Sequence, residues 1–270
     1  MGTEHRSASS RSSPLWYHVG RTLVTQYWPF SIVPISGLTM GMAVAVASQD
    51  VAWDWRLWGM AAAFLLLVDQ GVKSIDLSAP DINLAVDSTV QFRLGSLMVL
   101  VGFVIGLSIA YFTSWTFLII LGVLVSLAIL YNFSPGPHGE SPRGLNFFND
   151  WFGGMFHDKR KFTGRMNLGL CVGGIPTVIG YFLVTETVSL GILVFAAAPM
   201  LHMAAMIWVI EDYKDVLYPA LGIEYERDVP NDFQRLKVRS VKSQIYRLIA
   251  FALGAVGLYL EFVLAPSLAF

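Results

Sequence analysis

Long apolar stretches recur along the whole chain, and that recurrence limits what it can fold into. A helix needs about 20 mostly apolar residues to cross a hydrocarbon core of roughly 30 Å. Seven segments read this way: Trp28 to Ala47, Leu57 to Val72, Leu94 to Phe112, Trp115 to Phe133, Met166 to Leu183, Val188 to Ile210, and Ile245 to Ala265. The second is the shortest, and Asp69 interrupts its end. Only 14% of the residues are charged, where a soluble domain carries about a quarter. Mean hydropathy is +0.58. Backbone polar groups in lipid must be satisfied within the segment, so the spans are helices rather than open sheets. The expected fold is all-α: a polytopic membrane helical bundle of about seven transmembrane helices. Residues 1–15, rich in serine, read as a flexible tail, and 16–270 as one transmembrane domain.

Basic residues set the expected orientation. Seventeen of the 18 Lys and Arg residues fall at the N-terminus or in the second, fourth and sixth connections, and Arg56 alone falls on the other side. The positive-inside rule places that basic side in the cytoplasm, with the N-terminus inside and the C-terminus outside a cell membrane. Seven of the tryptophans, among them Trp28, Trp53, Trp58 and Trp115, fall near the expected interfaces, as an aromatic belt does. The outer loops are short, and the long polar connections are all on the inner side. Chemistry is therefore expected at the cytoplasmic face.

Two acidic clusters stand at inner helix exits. In V-D-Q-G-V-K-S-I-D, Asp69, Lys73 and Asp76 are spaced i, i+4, i+7, which sets them on one helix face. In E-D-Y-K-D, Glu211 and Asp215 are again i, i+4, with Asp212 between them. Carboxylate oxygens are the ligands Mg²⁺ prefers, often bridging one or two carboxylates to substrate phosphates. The plainer reading is that these acids solvate helix ends and offset the basic loops. Ionisable residues at membrane helices are costly and mark functional sites, which favours the first reading.

This pattern resembles the UbiA superfamily of intramembrane prenyltransferases, whose members carry N-D-x-x-D-x-x-x-D after the second helix and D-x-x-x-D after the sixth. Asp69 and Asp76 match acidic positions of the first motif, while Val68 and Val72 stand in place of its Asn and middle Asp. Glu211 and Asp215 match the second. Tyr131-N-F-S-P resembles the family's tyrosine- and proline-containing turn, and G-L-N-F-F-N-D-W, with Asn149, the region before its fifth helix. The opening R-T-L-V-T-Q-Y-W-P-F-S-I-V-P is also similar to the family's first helix. Family members usually have nine helices, so a partner membrane subunit is one way to supply the last two. The resemblance implies an enzyme that transfers an isoprenoid group from an allylic diphosphate to an aromatic or lipid acceptor. It implies Mg²⁺ held by Asp69, Asp76, Glu211 and Asp215, which are also the catalytic set. Lys73, Asp212, Tyr131 and Asn149 are then expected to contact substrate. Phe64, Phe92, Phe147, Phe148, Trp151 and Trp208 are candidates to line an isoprenoid tunnel, although most aromatics in a membrane bundle pack or face lipid.

Other classes compete. A terpene cyclase would use the same groups, and a non-catalytic isoprenoid-binding subunit would tolerate Val72. A small transporter would place its carboxylates nearer the midplane, in repeats that this chain lacks. Lys159-Arg160-Lys161 reads as a topology signal or lipid-headgroup contact. His202, within the sixth segment, reads as a helix-packing residue. Cys171 is the sole cysteine, which excludes an intrachain disulfide. His138 and His157 lack partners at zinc spacing. No nucleic-acid motif is present.

Overall fold

The computed structural model describes residues 28–76, 88–133, 162–220 and 233–264. These residues form helices α1 (Trp28–Gln49), α2 (Trp55–Asp76), α3 (Ser88–Phe112), α4 (Phe117–Phe133), α5 (Phe162–Gly169), α6 (Ile175–Thr185), α7 (Leu190–Ala220) and α8 (Phe233–Tyr259). A π-helical turn, Leu170–Gly174, fuses α5 and α6 into one rod, and a second, Leu260–Leu264, extends α8. Among the described residues there is no strand.

Among the described residues, five helices are long and apolar enough to cross a membrane: Ile32–Gln49, Thr89–Phe112, Gly164–Thr185, Leu190–Ile207 and Ser240–Leu264. α4 adds the shorter apolar stretch Phe117–Leu127. α2 is not among the five, because Arg56, Asp69, Lys73 and Asp76 dilute its apolar length. Leu248, Phe251, Tyr111 and Ile119 are each at least two-thirds exposed, a display of large side chains that water penalises and lipid does not.

Hydropathy locates the rods but misplaces several of their ends. α7 continues ten residues past Ile210 to Ala220, and α8 starts at Phe233 rather than Ile245. The stretch expected as one long loop is thus largely helix. Glu, Lys, Arg and Gln are good helix formers, so E-D-Y-K-D and Q-R-L-K-V-R extend helices beyond the apolar length. α3 likewise begins at Ser88 rather than Leu94, and α5 at Phe162 rather than Met166.

Packing follows three tight pairs: α2 with α3, α1 with α6, and α7 with α8. α1 also touches α2, and α5 with its π turn lies on α7. The core where the first two pairs meet α4 holds Leu38, Phe64, Phe117, Ile179 and Phe182, all almost fully buried. Phe117 and Phe182 stack at a tilt, with ring centroids 6.1 Å apart. The α1–α6 crossing admits no side chain. A Cβ on Gly41 would lie 1.8 Å from the Thr177 carbonyl oxygen, and one on Gly180 would lie 2.0 Å from that of Leu38. At the α2–α3 crossing, Gly71 and Gly95 approach each other's carbonyls in the same way.

The short turns after α1, α3 and α6 lie at one end of the bundle. That end is held by local caps: Asp54 accepts from the Arg56 and Leu57 N–H groups, and Glu186 ends α6 at φ 54 while its N–H bonds to Phe182 O. The end of α2 that carries Asp69 is the opposite one.

Candidate functional site in the last turns of the second helix

α2 divides its last turns between two neighbours. Gly71 and Ser74 turn toward α3, where Gly95 meets them, and Gln70, Ser74 and Gln91 are all buried. Val68 belongs to the apolar core and Val72 packs against it. The remaining face carries Asp69 and Lys73. One helical turn separates them, and Lys73 Nζ donates to Asp69 Oδ2 at 2.5 Å. The Asp69 side chain is only 12% exposed and that of Lys73 26%.

Across the bundle, Asp69 lies within electrostatic reach of Cys171, in the π turn between α5 and α6. Cys171 Sγ in turn donates weakly to Asn167 Oδ1 at 3.8 Å. Asn167 and Arg165, one turn or more further toward the start of α5, are both buried. The Asp69 half of the bundle therefore holds buried polar groups from α2, α3 and α5, in a region where an apolar lining costs less. Polar groups at this depth are retained at a cost unless each finds a partner.

Asp76 is the last residue of α2, and Glu211, Asp212 and Asp215 lie in the last turns of α7. Tyr131 lies near the end of α4. The side chains of these five, and the whole of Asn149, are outside the described residues. The backbone assigns the two acidic segments to different helix pairs: α2 to α3, and α7 to α8. The α5–α6 rod makes contacts with both α2 and α7.

No family model, curated protein or solved structure matches this chain.

Magnesium, which the resemblance implies, asks for hard oxygen donors. Asp69 fits that chemistry, with one carboxylate oxygen engaged by Lys73 and a cationic neighbour suited to a phosphate anion. Asp76, Glu211 and Asp215 would complete such a site. Among the described residues no three His, Cys, Asp or Glu side chains gather, Asp69 being the described member of the expected set. Of the expected tunnel aromatics, Phe64 is fully buried in the core, where its ring meets Gly106, so it is a packing residue. Phe92 is half-buried on α3. Phe147, Phe148, Trp151 and the Trp208 side chain are outside the described residues.

One carboxylate escapes the motif reading altogether. Glu261, in the π turn that ends α8, is 3% exposed and accepts hydrogen bonds from the Tyr181 hydroxyl and the Ser189 hydroxyl. Its signal in the sequence is simple: a lone acid inside an apolar run.

Proposed function

We propose that the chain is a seven-span membrane protein of UbiA type, with its N-terminus in the cytoplasm. In this reading it transfers an isoprenoid group from an allylic diphosphate to a hydrophobic acceptor. The observation that carries the reading is the Asp69–Lys73 pair: a shielded carboxylate and ammonium on the interior face of a helix exit, within electrostatic reach of the π turn at Cys171. A topology signal has no need of burial, since a basic residue serves it equally well from the headgroup region.

Asp69, Asp76, Glu211 and Asp215 would hold Mg²⁺, which when bound neutralises the diphosphate and assists its departure. Lys73 is placed to exchange its carboxylate partner for a phosphate oxygen. Helices around the site exclude water, which strengthens each of these charge interactions and protects an electron-poor isoprenoid. A binding subunit without catalysis is the second reading. It is favoured by Val72, which packs against the core where the family motif has an acid.

Release of diphosphate from a radiolabelled isoprenoid diphosphate, with Mg²⁺ and membranes containing the protein, tests the proposal. Turnover is expected from the natural chain and a loss of about 100-fold in Asp69→Asn, the scale of losing one charge-stabilising group. Isoprenoid binding with no release in the natural chain would support the binding subunit instead. Neither binding nor release would end both readings.

A further inference from the structure

The seam between α7 and α8 holds an arginine that the proposed chemistry does not use. Ser243, Arg247, Ala250, Gly254 and Gly257 recur at three- and four-residue steps along α8, which sets them on one face. That face lies against α7. Ser243 Oγ donates to Ala205 O at 3.2 Å, and a Cβ on Gly257 would lie 2.4 Å from the Phe195 nitrogen. Ser243 and Ala250, on either side of Arg247, are both buried.

Arg247 is part-buried at this seam, and its hydrogen bonding is poor. Nη2 donates to Met206 Sδ at 3.2 Å, and a thioether is a weak acceptor. Nε is buried and finds no acceptor among the described residues. An unmet donor on a charged group carries a large desolvation cost. Neither helix offers a counter-ion at this level. Between Leu190 and Ile210 of α7, and between Phe233 and Leu260 of α8, the sequence has no Asp or Glu. α5, which also lies against this part of α7, has none either. His202, exposed on α7, is within electrostatic reach of Arg247 and brings no negative charge. Among the described residues Arg247 forms no ion pair.

The depth of the guanidinium narrows what can meet it. Met206 is next to Ile207, the last residue of the apolar stretch of α7. On α8, Arg247 is about 10 Å inside Ser240, where the 25-residue apolar stretch begins. That stretch is about 37 Å long, more than a hydrocarbon core of roughly 30 Å, so its first turns reach the headgroups. Arg247 is thus within snorkelling distance of them. Beside it, Leu248 and Phe251 are 71% and 80% exposed. The first turns of α8 carry Arg235, Lys237, Arg239 and Lys242 without an acid among them.

We propose that the α7–α8 seam at Arg247 binds the phosphate of an anionic phospholipid. A phosphate oxygen displaces Met206 Sδ and accepts from Nε and Nη2 together, the fork with which arginine holds phosphate. Methionine is unbranched and flexible, so it moves aside readily. The acyl chains lie over Leu248 and Phe251, and the basic first turns of α8 favour a headgroup of net negative charge. A free phosphate offers the same oxygens but gains nothing from the apolar display beside them.

Native mass spectrometry of the full chain, released from micelles supplemented with phosphatidylglycerol, phosphatidylcholine or inorganic phosphate, tests this. Phosphatidylglycerol is expected to remain bound severalfold more than phosphatidylcholine. Arg247→Gln should cut its retention by about tenfold, the scale of losing one charge-assisted contact. Arg247→Lys keeps the charge but not the fork, so retention should also fall, by less. Arg56→Gln removes the same charge from an exposed site at the opposite end and should leave retention unchanged. Equal retention of the two lipids overturns the proposal, as does retention unaffected by Arg247→Gln or reduced equally by Arg56→Gln. Inorganic phosphate bound as firmly as the lipid would replace it with a plain anion site. If Arg247→Gln fails to fold, Arg247→Lys decides: unchanged retention overturns the fork and the proposal with it.

Discussion

Replacing Gly41 or Gly180 with alanine should drive α1 and α6 apart. The added Cβ would sit 1.8 Å from Thr177 O in the first case and 2.0 Å from Leu38 O in the second, against 3.4 Å for ordinary contact. The obstructing atoms are backbone, so no rotamer change relieves them, and the axes must separate by about 1.5 Å. A radial gap of 0.5–1 Å already forfeits roughly a quarter to a half of a dispersion contact. Leu38 and Ile179, now almost fully buried, therefore lose much of their packing. Overpacking costs about 1–3 kcal/mol, and this interface belongs at the upper end. Alanine returns about 1 kcal/mol of helix propensity, leaving a net loss of about 2 kcal/mol. Gly59 and Gly122 have nothing within 4 Å of an added Cβ, so alanine there should stabilise by about 0.5–1 kcal/mol. Cys171 is the sole cysteine and partly buried, which makes its thiol reactivity on heating in detergent a reporter of unfolding. If all four variants shift stability in the same direction, the close α1–α6 crossing is wrong.

Two further outcomes are expected. Val72→Asp supplies the acid of the family motif but sets it against the apolar core, so it should cost about 2 kcal/mol and not raise turnover; unchanged thermal unfolding with a Mg²⁺-dependent gain in diphosphate release would contradict this. Single cysteines at Ser12 and Ser267, in a Cys171→Ser background, should label from opposite sides of sealed vesicles, and labelling from one side would reject an odd number of spans.

The apolar runs made the rods legible, since burying or lipid-solvating some 20 residues leaves a strong imprint on composition. Helix ends left a weaker one. Glu211, Lys214 and Asp215 are poor residues for lipid but acceptable ones for a helix, so hydropathy stops at Ile210 where the backbone continues to Ala220. At Asp69 and Lys73 the i, i+4 spacing foretold a shared helix face, and the ion pair between them is what the structure adds. The division of α2 into a face toward α3, a core face and a charged face was not legible, because it depends on which helices become its neighbours. Glu261 illustrates the same limit. An acid in an apolar segment announces itself, but its hydroxyl partners are 72 and 80 residues away in sequence.

The π turn at Leu170–Gly174 also governs how the middle of the chain tolerates change in length. Gly169 and Gly173 meet α7 at Met200 and Pro199, whereas Thr177 and Gly180, beyond the turn, meet α1. One rod thus serves two partners on different sides, and the wide turn, with its Ile175 N–H bonded to Leu170 O, supplies the change of phase between them. Deleting a single residue within 170–174 would let the rod close into regular α-helix with little rotation, because the wide turn is an α-helical turn that carries one extra residue. Gly180 would stay against Leu38 and Tyr181 near Glu261. The same deletion in the α-helical parts of the rod would turn everything beyond it by about 100°. The turn is therefore the place where this rod can lose a residue and keep both of its partners.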